Sequence, residues 1–127
     1  MDTPVNTTAL AYIGDAVYEV YIRERIIQSG QTNADMMHKK SVAYVSAEAQ
    51  AKILKRIYDR LGEDEQNLVK RARNHKISSK PQNTDAVTYK LATAFEALVG
   101  HLYLTENKER LEEILNFAAA AAENGDN

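Results

Sequence analysis

The sequence contains no cysteine, which removes disulfides, thiolate metal sites and a cysteine nucleophile at once and suits a reducing cytosol. Only two prolines and five glycines punctuate its 127 residues. No sustained alternation of β-branched and polar residues occurs, so strands are poorly supported and helices are expected throughout. No apolar run is long enough to span a bilayer, and the opening MDTPVNTT is acidic and polar where a secretory leader would be basic and then apolar. The expectation is a cytoplasmic protein with no membrane partner. Acidic residues are missing altogether from 66–84, although the whole chain carries a net charge of -2. Lys70, Arg71, Arg73, Lys76 and Lys80 fall in that gap, so a local positive region sits on a mildly acidic body. The length suits one domain over 1–127 with one core and a polar tail from about 123.

What is present is organised around residues 9–22, ALAYIGDAVYEVYI, an almost wholly apolar stretch with Asp15 in its middle. As a helix it would be about 21 Å long. Being apolar on nearly every side, it is expected in the middle of a bundle. An ionised carboxylate is costly to bury alone, and residues 91–104, LATAFEALVGHLYL, pose the same problem with Glu96 as their only acid.

The helix ends follow from capping residues. Asn6 can cap a helix to about Gln28, stopped by Ser29 and Gly30. Thr32 with Asp35 resembles a capping box for a short helix over 33–39. Ser41 can cap a longer one over 42–60, with Val42, Val45, Ala49, Ile53 and Ile57 on one face and Gly62 as the stop. Glu63, Asp64 and Glu65 then open a helix that Lys70, Arg71 and Arg73 close, complementing its dipole. Residues 75–84 read as the one substantial loop. Asn83 or Thr84 would cap the helix carrying Glu96, and Asn107 a last one over 108–122.

Two acids in apolar helices suggest a shared hard cation. Mg²⁺ takes one or two carboxylates, keeps several waters and completes its shell with phosphate oxygens, which implies phosphodiester hydrolysis. On pattern alone an equal alternative is that each acid is satisfied structurally by Arg23, His101 or a tyrosine hydroxyl. Asp85 reads as a further metal ligand or as an ordinary first-turn acid, and Glu19, one turn beyond Asp15, as a further carboxylate of the site or, in preference, as the i, i+4 partner of Arg23. His38, His75 and His101 are scattered, which argues against zinc. Tyr12, Tyr18, Tyr21, Tyr89 and Tyr103 fit core or interface packing better than base stacking.

The strings themselves carry more. YIGDAVYEVYIR resembles the second half of the ribonuclease III signature, and TAFEALVGHLYL resembles that family's later Phe-Glu-Ala segment. VSAEAQAKIL is similar to its Val-Ser helix, and KRARNHK followed by NTD looks like the basic segment of the Mini-ribonuclease III group. The resemblance implies an all-α, ribonuclease III-like helical bundle in which Asp15 and Glu96 are catalytic metal ligands. It implies Mg²⁺, with Mn²⁺ able to substitute, and cleavage of double-stranded RNA to 5′-phosphate and 3′-hydroxyl ends. It also implies a homodimer acting on large-subunit (23S) ribosomal RNA precursor, without the separate C-terminal RNA-binding domain of longer relatives. Lys70, Arg71, Arg73, Asn74, Lys76 and Lys80 would contact RNA phosphates and 2′-hydroxyls. Where the full signature has further acids, this chain has Thr8, Ala11 and Thr93, absences typical of the Mini group. Two alternatives are a catalytically silent structured-RNA-binding protein of the same fold and an all-α metal-dependent nucleotide hydrolase. Loss of Mg²⁺-dependent cleavage with RNA binding kept in an Asp15 or Glu96 variant rejects the first; turnover of free nucleoside triphosphates favours the second.

Overall fold

The computed structural model of the chain describes residues 6–75 and 85–124. Its helices are α1 (Thr7–Gln28), α2 (Ala34–Val45), α3 (Ala47–Ile57) with a 3₁₀ turn at Tyr58–Arg60, α4 (Glu63–Asn74), α5 (Ala86–Leu104) and α6 (Lys108–Glu123). The described residues contain no strand. This is the expected all-α bundle around one hydrophobic core.

The caps explain most boundaries. Asn6 accepts the Ala9 N–H at 2.8 Å to start α1, and Gly30, at φ 95°, turns the chain out of it. Gly62 opens α4, where the Glu65 carboxylate reaches back to the Gly62 N–H at 2.8 Å. One expected break is misplaced. Asn33 caps α2 by accepting from Met36 N–H, and Ser41 lies inside that helix, its hydroxyl donating to the Met37 carbonyl at 2.9 Å. The break falls at Ser46, whose hydroxyl accepts the Ala49 N–H and starts α3. A second correction concerns α5: its cap is Asp85, and Asn83 and Thr84 lie outside the described residues, as does most of the expected loop.

The central helix is α5, not α1. Ala94, Phe95, Ala97, Leu98 and Val99 are fully buried in succession, and α1, α3, α4 and α6 all pack on them. Burying each large apolar side chain contributes roughly 1.5–3 kcal/mol. By contrast α1 buries only one face, through Leu10, Tyr18, Ile22 and Ile26, and leaves Tyr12, Val20 and Ile27 exposed. Tyr18 meets Phe95 edge-on at 5.0 Å, and its hydroxyl donates to the Tyr44 carbonyl at 2.9 Å.

Two glycines let α1 and α5 touch backbone to backbone. A Cβ on Gly14 would overlap the carbonyl oxygen of Glu96, and one on Gly100 would overlap that of Leu10. The helices therefore cross where their main chains lie closest, beside Asp15 and Glu96. The C-terminal end of α6 is fastened as well: Glu123 accepts from Arg25 at 2.8 and 3.0 Å and from the Tyr44 hydroxyl at 2.7 Å. The polar tail thus starts after Glu123, and residues 125–127 lie outside the described residues.

Candidate active site

The crossing places Asp15, the residue after Gly14, beside the side chain of Glu96, whose own carbonyl abuts Gly14. Asp15 is exposed and Glu96 half-buried, so the expectation of two buried acids holds only for the second. The cause is the shape of the seam: α5 is enclosed, whereas the α1 face carrying Asp15 borders solvent. Burial, together with the charge and hydrogen bonding of Asp15 and the charge of Glu19, pushes the Glu96 carboxyl up to about 8. The Gln50 side chain, acting as a hydrogen-bond donor, pulls the other way.

Among the described residues, neither acid has an ion-pair partner. Arg23 is taken by Glu19 at 3.1 Å, the expected i, i+4 contact. Asp85 is held elsewhere, one oxygen accepting the Thr88 N–H at 2.8 Å and the other its hydroxyl at 2.9 Å. These bonds keep its carboxyl below the usual range. It stands about 16 Å from Glu96 along the α5 axis, so the structure does not bring Asp85 to the Asp15–Glu96 pair.

Lys70, Arg71, Arg73 and Asn74 are all exposed on the last turns of α4. The segment is tied to the site helix, because the Thr8 hydroxyl lies 3.3 Å from His75 Nε2. Thr8 and Asp15 are seven residues apart on one face of α1, about 10 Å along its axis. Lys76 and Lys80 lie outside the described residues.

Gln50 was not foreseen. Its side chain is 1% exposed, its Nε2 donates to the Val45 carbonyl at 3.0 Å, and its Oε1 is closed to solvent without a partner. The signal was present: Gln50, Ile53, Leu54 and Ile57 form one buried i, i+3, i+4, i+7 stripe with a single polar member.

These donors fit a hydrated divalent ion. A cation between the two carboxyls would stabilise both as anions, including the one that burial and Asp15 push up to about 8, and an unpartnered buried amide oxygen lies on the α3 side chain that bears on Glu96. Among the described residues no cluster of three or more His, Asp or Glu could form an all-protein cage. A site of two carboxylates leaves most of a divalent ion's shell to water and substrate oxygens.

The all-α bundle with this crossing is that of a ribonuclease III domain by comparison: the Ribonuclease III domain family matches residues 8–107. The chain belongs to the ribonuclease III family and is an endoribonuclease. It is 45% identical over 115 residues to Mini-ribonuclease 3 of Enterococcus faecalis, covering 89% of this chain and 87% of that one. With Mini-ribonuclease 3 of Streptococcus pneumoniae it shares 41% over 121 residues, 94% of each. An X-ray crystal structure of a Fusobacterium nucleatum protein superposes with a TM-score of 0.83 at 34% identity, covering 93% of this chain and 94% of that one. No helix among the described residues is long and apolar enough to cross a membrane.

Proposed function

We propose that Asp15 and Glu96 hold one Mg²⁺, with Mn²⁺ as a substitute, and cleave double-stranded RNA, leaving 5′-phosphate and 3′-hydroxyl ends. The observation that carries this is that Asp15 lies beside a half-buried Glu96 with no ion-pair partner among the described residues. When bound, the ion activates water and offsets the charge that develops on the phosphate. The chain's own part is positional: the glycine crossing fixes the two acids, and Glu96 must release its proton for its carboxylate to ligate. Lys70, Arg71, Arg73 and Asn74 face solvent beside α1 and would track the phosphates, with Lys76 and Lys80 continuing the run in sequence. Recognition of this kind reads duplex shape more than base sequence.

The reading extends to a cytoplasmic enzyme acting on large-subunit ribosomal RNA precursor, with which the match to the ribonuclease III family is consistent. A homodimer is supported by α1: Tyr12, Val20 and Ile27 lie within about 80° around the helix, and Tyr12 is 84% exposed. Two copies sharing that face would present two sites to one duplex, each cutting one strand. Sedimentation of the RNA-free protein as a monomer at micromolar concentration would remove this part of the proposal.

The test is incubation with a long RNA duplex with and without Mg²⁺. The parent is expected to cut only with the ion, and Asp15→Asn to bind but not cut; cleavage by Asp15→Asn at the parental rate would refute the site. Replacing Arg71 and Arg73 together by Ala is expected to raise the duplex concentration for half-maximal cleavage about ten-fold and to flatten the salt dependence. An unchanged salt slope would make these residues only a solvated helix end.

A further inference from the structure

The proposed cleavage by Asp15 and Glu96 assigns no role to the buried glutamine of α3. An apolar side chain would continue the Ile53, Leu54 and Ile57 stripe at no polar cost, yet Gln50 is there, 1% exposed and half satisfied. The orientation of its amide is fixed chemically: the Val45 carbonyl can only accept, so the nitrogen faces it. Leaving the other end without a partner is destabilising in a closed interior. Oε1 is the one buried side-chain nitrogen or oxygen without a partner among the described residues. The helix α3 that carries it packs on α5, and the glutamine amide is near enough to Glu96 to favour the ionised carboxyl, which sets Gln50 near the acid pair from a third helix.

We propose that Gln50 is a positioning residue of the cation site, steadying the Glu96 carboxylate from its Nε2 side and giving Oε1 to a water that arrives on the divalent ion. The inference rests on the reading of Asp15 and Glu96 as ligands. It adds α3 to the helices that build the site and gives the unpartnered oxygen a partner that comes with the metal, not with bulk water. It also gives the Ser46 break between α2 and α3 a purpose, since the Val45 carbonyl at that break is what holds the Gln50 nitrogen.

The test measures Mn²⁺ binding to the RNA-free protein by electron paramagnetic resonance, alongside unfolding in EDTA. Gln50→Met keeps the length of the side chain and removes both polar atoms. It is expected to bind Mn²⁺ about ten-fold more weakly and to need correspondingly more Mg²⁺ for cleavage, with duplex affinity in EDTA unchanged. A folded Gln50→Met with parental Mn²⁺ affinity overturns the inference and leaves Gln50 as a tie between α2 and α3. If Gln50→Met does not fold, Gln50→Glu decides, because it keeps acceptor oxygens: Mn²⁺ should raise its melting temperature at least as much as the parent's, and a smaller rise is the overturning result. Asp15→Asn and Glu96→Gln, measured in parallel, separate the two layers. Parental Mn²⁺ binding in both defeats the ligand reading itself, whereas its loss in both, with Gln50→Met unaffected, defeats only the role of Gln50.

Discussion

Replacing Glu96 by Gln is expected to lower the rate of duplex cleavage by about 10³-fold or more while making the metal-free protein more stable at pH 8. Both effects come from one carboxyl. Burial, Asp15 and Glu19 raise it from 4.5 to about 8, so between those values the folded state holds a proton that the unfolded state has released. Its favourable contribution is therefore complete below the unfolded value and is lost as pH rises through about 8. Glutamine has no such charge to bury. The variant should gain on the order of 2–4 kcal/mol at pH 8 in EDTA, about 10 °C in melting temperature, after allowance for the partial exposure of the site. At pH 4.5 the two proteins should melt together. The same proton must leave when a cation binds, so the parent's apparent Mg²⁺ affinity is expected to tighten from pH 6 to pH 8. Thermal melts across pH, with and without the ion, check each part; equal melting temperatures at pH 8 in EDTA would mean Glu96 is not strained, and undiminished cleavage would mean it is no ligand.

Gly14→Ala is expected to have the opposite sign from the usual one. In an exposed helix interior the exchange stabilises by up to about 1 kcal/mol. Here the added methyl meets the Glu96 carbonyl, a main-chain atom on a helix packed on four others, so it cannot rotate aside. The two helices must separate, and Leu10, Tyr18, Leu98 and Phe95 lose packing along the seam. A loss of about 3 kcal/mol or more is expected, read as a fall in urea midpoint at unchanged slope. Folded material that survives should cleave poorly, because the same shift parts Asp15 from Glu96. A midpoint within about 0.5 kcal/mol of the parent would show that the backbones do not meet there.

How far the chain could be read beforehand varied with the physics involved. Asn6, Gly30 and Gly62 act locally, through a side-chain oxygen or a missing Cβ, and the helix ends they mark were legible. Ser41 and Ser46 are chemically alike, and only the path of the chain decides which hydroxyl caps a new helix and which bonds back to its own. Asp85 looked equally like a ligand or a cap, and Thr88 three residues on takes both its oxygens. The resemblance to a known family brought Asp15 and Glu96 together, a meeting that spacing does not encode. Which apolar helix is central turns on a related point: α1 and α5 are similarly apolar, but four helices pack on the middle of α5, while α1 keeps Tyr12 and Val20 in solvent. Gln50 went unnoticed because one amide in an apolar stripe is a fainter anomaly than a charge.

The glycine crossing also bears on when, in the life of the chain, the proposed site can form. Gly14 and Glu96 are about 80 residues apart in the chain. Closing so long a loop is entropically unfavourable and late compared with local helix formation. A chain emerging from the ribosome can therefore coil α1 through α4 while Asp15 still has no counterpart. With Asp15 and Glu96 as the proposed ligands, the nuclease is expected to stay inert until its fifth helix is made and docked.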